Sequence, residues 1–203
     1  MDFPILKTER LLLREWTDND YENIFQIRSH ESVAKYTSED PYQIIADSHW
    51  RVDGSRMYFH EKNMGITWGI FDKESGRVLG DIDFTYKDRA HFRIQLGCMF
   101  APHAWGKGYA TEAMKEVIRY GFEDFPQFKI HRMEADTDPR NASAIKLLEN
   151  IGFRKEGLLL DYYFERGRFV DKLFFGLLRS DWEKKQIFIP HNPYPKDDQK
   201  VVS

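Results

Sequence analysis

Residues 92–125 constrain the fold more than any other stretch. FRIQLGCMF (92–100) has the branched and aromatic residues of a strand. Its Gly97 points to a bulge or a close backbone approach. After Pro102 the period changes. Tyr109, Ala113, Met114, Val117, Ile118, Gly121 and Phe122 recur at three and four, which predicts an amphipathic helix ending near Phe125–Pro126. Gly106, Lys107 and Gly108 stand between the two segments. A strand, a glycine turn and a helix in that order place the chain among mixed α/β structures.

The remaining segments fill in around this unit. ERLLLREW (9–16) reads as a strand, followed by Thr17 as a candidate N-cap, with Asp18 and Asp20 at the positive end of a helix carrying Ile24, Phe25 and Ile27. Residues 38–62 are aromatic-rich and partly helical in pattern, but Pro41 and Gly54 interrupt them. Segments 64–73 and 77–87 read as a hairpin across the turn ESG. A strand is expected over 129–138, then a short helix over 141–153, with Asn141 as its N-cap and Gly152 as its stop. Two more strands follow, GLLLDYYFE and FVDKLFFGLL, joined by a turn at Arg166–Gly167–Arg168. Antiparallel strands followed by a strand–helix–strand unit predict a mixed sheet with helices on both faces. The 203-residue length predicts one domain over 1–185, with a poorly ordered proline-rich tail over 186–203.

Charge and cysteine content narrow the function classes. A formal charge of −3 supplies no whole-protein field for nucleic acid. No segment is long and apolar enough to span a membrane, and the start MDFPILKTER lacks a signal-peptide pattern, so a cytoplasmic protein is expected. The single cysteine, Cys98, cannot form an intramolecular disulfide and, within the apolar run CMFAP, reads as a buried small hydrophobe. Seven scattered histidines without HExxH-type spacing give no sign of a metal site.

Glycines at 106 and 108 let backbone N–H groups turn toward one point, and the helix start adds orphan donors and partial positive charge. That combination suits a pyrophosphate. An ordinary glycine turn has the same spelling, so the loop alone leaves both readings open. The patterns GxxxxGK[ST] and GxGxxG are absent, which argues against nucleotide hydrolysis and dinucleotide binding.

WGKGYATEA (105–113) closely resembles the cofactor loop of the GCN5-related N-acetyltransferase (GNAT) family, in the branch that includes the ribosomal-protein acetyltransferases. DPRNASAIKLLENIGFRKEG resembles that branch's downstream helix, TERLLLREWTDND its first strand and turn, and VDKLFFGLLRSDW its last strand and end. The resemblance covers roughly residues 5–183. It implies a mixed, mostly antiparallel sheet of six or seven strands with the acyl-CoA N-acyltransferase fold, in which strands 92–100 and 130–138 splay apart. Acetyl-CoA would lie in that gap. Its pantetheine arm would pair with Cys98, Met99 and Phe100, and its pyrophosphate would sit on Trp105, Gly106, Lys107, Gly108, Tyr109, Ala110 and Thr111. Asn141 and Ala144, on the downstream helix, would approach from the other side. The wider family often has Gln or Arg where Trp105 stands.

The resemblance implies acetyl transfer from acetyl-CoA to a primary amine by direct attack through a tetrahedral intermediate, with a carboxylate or water chain taking the amine proton and a strand N–H near Met99 polarising the thioester. A protein N-terminal α-amine is the expected acceptor, with a small-molecule amine such as a polyamine or amino sugar as the alternative. Three positions depart from the family pattern: Leu148 replaces a Tyr acid, Ala144 a Ser, and Gln95 a Glu. These departures keep a non-catalytic acyl-CoA sensor open as well. The remaining catalytic candidates are Glu134, which also fits an ion-paired strand residue, and Tyr163, which also fits packing. Asp81 and Asp83 alternate on one strand face, expected to be exposed. Glu112, in the first turn of its helix, reads as structural. A monomer or homodimer is expected.

Overall fold

The computed structural model describes residues 2–186. Of the tail expected over 186–203, all but Gln186 lies outside the described residues. Eight strands form one sheet: β1 (Leu6–Lys7), β2 (Leu11–Arg14), β3 (Gly65–Asp72), β4 (Val78–Asp88), β5 (Arg93–Phe100), β6 (Arg132–Thr137), β7 (Arg154–Glu165) and β8 (Arg168–Leu178). Their order is β1-β2-β3-β4-β5-β6-β8-β7. Eight replaces the expected six or seven because Thr8 makes a tight turn ahead of β2. Its N–H donates to the Leu11 carbonyl and its hydroxyl accepts from the Leu11 N–H, so Leu6–Lys7 folds back as a two-residue edge strand.

The helices are α1 (Tyr21–Arg28), α2 (Glu31–Ala34), α3 (Asp47–Arg56), α4 (Tyr109–Arg119), α5 (Ala142–Ile151) and α6 (Arg179–Gln186). Thr17 opens a short 3-10 turn, Asp18–Asp20, rather than α1 itself, and the Asp20 carboxylate accepts from the Thr17 N–H at 2.8 Å. The amphipathic pattern expected to reach Phe125 is α-helical only to Arg119, then widens into a π-turn over Tyr120–Asp124.

Period-two alternation sends each strand's side chains to two faces, and the two faces have separate cores. On one, Ala113, Met114, Val117 and Ile118 of α4 and Leu148 and Ile151 of α5 pack on Leu11, Leu13, Trp68, Ile82, Phe84, Ile94, Met133 and Phe175. Burying each large apolar side chain of α4 contributes on the order of 1.5–3 kcal/mol. On the other face, Trp16, Ile24 and Ile27, Val33 of α2 and Val52 of α3 pack on Phe71, Val78 and Ala101.

The sheet has one weak seam. Every neighbouring pair of strands is antiparallel except β5 and β6, which run parallel and pair at only three positions: Arg93↔Arg132, Ile94↔Met133 and Gln95↔Glu134. Beyond Gln95 and Glu134 the two strands continue unpaired, β5 to Phe100 and β6 to Thr137. That opens a gap in the middle of the sheet.

Candidate active site

The gap opens toward the start of α4. Gly106 (φ 71°) and Gly108 (φ 81°) both adopt the left-handed region, and Gly108 is the N-cap of α4. A side chain at either position would be strained by roughly 1–2 kcal/mol. This double reversal turns the chain from the sheet into the helix. The first capping bond of α4 runs from the Glu112 N–H to the Gly108 carbonyl at 3.0 Å. The N–H groups ahead of it have no acceptor one turn earlier in the helix and form its positive end.

Long-range contacts fix the loop. Glu112 accepts from the Thr8 hydroxyl at 2.5 Å, the Arg10 N–H at 2.9 Å and Arg10 Nε at 2.7 Å. Burial works to raise the Glu112 pKa, and these hydrogen bonds outweigh it and hold the group below its usual value. Arg10 also donates to the Lys107 carbonyl at 3.0 Å and lies 4.4 Å over the Tyr109 ring. Trp105 is largely exposed, and its indole N–H donates to the Phe100 carbonyl at 2.7 Å. On the far side of the gap the Asn141 side chain accepts from the Ala144 N–H at 3.1 Å and caps α5, which ends at Gly152 (φ 118°). Leu148 is buried in the core.

The Ala101 N–H donates to the Leu79 carbonyl at 2.8 Å, and the β4–β5 register then runs unbroken from Gly80↔Phe100 to Thr85↔Gln95. In an antiparallel ladder, bonded and non-bonded pairs alternate. Gly97 and Met99 therefore turn their N–H groups toward β4, whereas Cys98 and Phe100 turn theirs toward the gap. The gap-facing N–H groups are thus those that flank Met99. Cys98 itself is exposed, not the buried hydrophobe its sequence context suggests, because no strand covers β5 at that level. Desolvation by the protein around it, and then Asp81 and Asp83, push the thiol pKa up to about 12.

A cavity of about 350 Å³ lies on the α1–α3 side of the gap, lined by Thr37, Ser38, Gln95, Asp136, Tyr163, Phe164, Glu165 and Lys172. Its roof is tied by Arg166, at the β7–β8 turn. Arg166 donates to the Ala34 and Glu39 carbonyls and pairs with Asp40 at 3.2 Å. Arg166 and Gly167 both have positive φ (50° and 76°), the requirement of a two-residue hairpin turn. Tyr163 faces this cavity, with Lys172 Nζ 5.3 Å from its ring; burial, then Asp136, raise its hydroxyl pKa.

Glu134 stands where β5 and β6 still pair, and its carboxylate accepts from Arg132 at 2.8 Å and Arg93 at 3.3 Å. Both guanidiniums are ion-paired with it. Asp81 and Asp83 do not form an exposed face, because α1 and α3 cover them. Asp81 is buried and pairs with Arg28 at 2.9 Å and Arg51 at 3.1 Å, and Asp83 takes Arg51 at 2.8 Å. The residue that sequence reading passed over is Asp136. Its carboxylate accepts from Gln95 inside the cavity, and burial raises its pKa. The available signal was its alternation with Glu134 on one strand.

A sheet split at its one parallel seam, with a glycine-opened helix facing the split, defines the N-acetyltransferase class of α/β protein. The chain belongs to the GNAT family: residues 10–154 match the Acetyltransferase (GNAT) domain model. It is 33% identical over 177 residues to the uncharacterized N-acetyltransferase p20 of Bacillus licheniformis, covering 87% of this chain and 97% of that one. It is 28% identical to the [Ribosomal protein uS5]-alanine N-acetyltransferase of Escherichia coli, covering 87% and 92%. The fold superposes with a TM-score of 0.73, at 22% identity, on a spermidine N-acetyltransferase from Vibrio cholerae solved with CoA and spermine, covering 87% and 99%. Among the described residues, no helix is long and apolar enough to cross a membrane, and no group of three His, Cys, Asp or Glu is placed to hold a metal.

Proposed function

We propose that the protein is an enzyme that moves acetyl from acetyl-CoA to a primary amine within one catalytic domain. The observation that carries this reading is the gap between β5 and β6, which ends beside the left-handed glycines that open α4. Backbone N–H groups of residues 105–111 hold the pyrophosphate. Cys98 and Phe100 offer gap-facing donors to the pantetheine arm and thioester oxygen, where a fixed donor stabilises the tetrahedral oxyanion. Asn141 and Ala144 flank the cofactor from α5. The amine nitrogen bonds to the thioester carbon, the C–S bond breaks, and the amine proton passes to the protein. A thiolate is a good enough leaving group to depart without an obligatory acid, so a buried Leu148 in place of the family's Tyr is compatible with turnover.

The amine enters through the cavity bearing Tyr163. Glu165, inside it, is already paired with Lys172 at 3.0 Å. That leaves Asp136 as its one carboxylate, among the described residues, outside a salt bridge, which favours an acceptor with a single positive charge, such as a protein N-terminal α-amine, over a polyamine.

The test is a thermal-shift titration followed by thiol release over a panel of peptides, polyamines and amino sugars. Acetyl-CoA at a hundred times its Kd stabilises the folded state by about 2.7 kcal/mol, raising Tm by several degrees. Gly108→Glu, which puts an anion where the pyrophosphate sits, abolishes that rise in a folded protein. No rise in the parent protein at saturating acetyl-CoA rejects the reading. A rise without thiol release for any amine makes the chain a sensor instead.

A further inference from the structure

Several carboxylates around the cavity and on the α1–α3 side of the sheet are ion-paired. Asp81 and Asp83 are held by Arg28 and Arg51, Glu134 by Arg132 and Arg93, Glu165 by Lys172, and Glu39 by Arg28. Asp136 accepts a hydrogen bond from Gln95 Nε2, and no ion pair joins it to any described residue. It lies two residues past the last β5–β6 pair, where the strands have separated, and it lines the cavity that reaches the gap. Gln95 is held in turn: its amide oxygen accepts from Lys87 Nζ at 3.1 Å, which leaves the NH₂ group directed at Asp136.

We infer that Asp136 is the catalytic base of this site, accepting the proton of the acceptor amine, and that Gln95 is the positioning residue that aims it. The inference rests on the acetyltransferase reading above. In the step it describes, the Asp136 carboxylate takes one proton from the ammonium. The freed lone pair forms the bond to the acetyl carbon, the C–S electrons leave with sulfur, and the second proton shed by the nitrogen goes to the departing thiolate. The family's Glu at position 95 is thus replaced by a pair, Gln95 and Asp136, from two neighbouring strands. The groups around Asp136 suit the role. Lys172 on β8 and Lys87 on β4 favour its ionised form, Glu165 on β7 opposes it, and burial lifts its pKa toward the working range. Tyr163 on β7 and Gln95 on β5 complete the polar surroundings.

Asp136→Asn keeps the shape and the acceptor for Gln95 while removing the base. With a short peptide bearing a free α-amine, and separately with spermidine, kcat/KM is expected to fall at least about 100-fold. The acid limb of the pH profile disappears, while the acetyl-CoA thermal shift stays unchanged. Gln95→Leu, which removes a hydrogen bond favouring the carboxylate and the contact that aims it, moves that acid limb to higher pH and lowers kcat while the acetyl-CoA thermal shift stays unchanged; an acid limb that does not move overturns the positioning role. Asp136→Asn with kcat/KM within threefold of the parent and an unaltered acid limb overturns the inference and leaves the acetyltransferase reading standing. A parent protein that binds acetyl-CoA yet acetylates neither these acceptors nor the wider panel overturns both.

Discussion

At the level of single residues, Asp136 is under opposing demands from stability and chemistry. Burial raises its pKa in the folded protein above the unfolded value of about 3.9. The folded state therefore holds the proton more tightly. The stability from this group is complete below the unfolded pKa and is lost as pH rises through the folded pKa. At neutral pH the ionised carboxylate destabilises the fold. Asp136→Asn should consequently melt higher than the parent at pH 7–8, with the difference shrinking as the pH falls toward 4; calorimetry across that range measures it. A variant that melts lower at every pH would show that ion-pair support, not desolvation, dominates at this position. On the chain itself Glu134 and Asp136 look alike, two acids spaced by one residue. What separates them is the company each keeps: guanidiniums around one, an amide from β5 beside the other. The β5–β6 register sets that company, and no periodicity within either strand encodes it.

Among the elements, legibility follows how each one is anchored. α4 and α5 bury apolar stripes and end on glycine or asparagine signals, so period and caps were readable in the sequence. The β5–glycine loop–α4 unit and the Arg166–Gly167 turn were readable for the same reason. α3, DSHWRVDGSR, is different: only Val52 of its apolar residues is buried, and Trp50 is 83% exposed. Its hold on the sheet is ionic. Arg51 binds Asp81 and Asp83 of β4, and Arg28 at the end of α1 binds the same Asp81. A buried ionic anchor has no sequence period, which is why the 38–62 region resisted division into elements. Burial opposes ionisation of Asp81, but Arg28 and Arg51 outweigh it and lower its pKa. Its contribution is therefore present above the unfolded pKa and lost as pH falls through the folded one. Asp81→Asn leaves guanidinium charge buried with fewer partners and should cost about 3–5 kcal/mol in denaturant unfolding at neutral pH. A loss below 1 kcal/mol would mean that α1 and α3 are held by their apolar contacts alone.

Across the whole molecule, two blocks of sheet meet at one short seam. β1 to β5 form one antiparallel block and β6 to β8 the other, joined through three parallel pairs and through the core under α4 and α5. A ligand lying in the gap touches both blocks and substitutes for the pairing that β5 and β6 lack. Hydrogen exchange can read this position by position, because backbone direction alternates along β5. The Gly97 and Met99 amides already face β4, so adding coenzyme A should leave their exchange nearly unchanged. The Cys98 and Phe100 amides face the gap and should slow markedly, together with the first N–H groups of α4. Protection confined to α4 would place the pyrophosphate on the helix with the pantetheine arm outside the gap. Equal protection at all four β5 positions would indicate that the strand tightens as a whole instead of pairing with a ligand. Alternating protection at 98 and 100 is the outcome that only an extended arm, bonded along one edge of β5, produces.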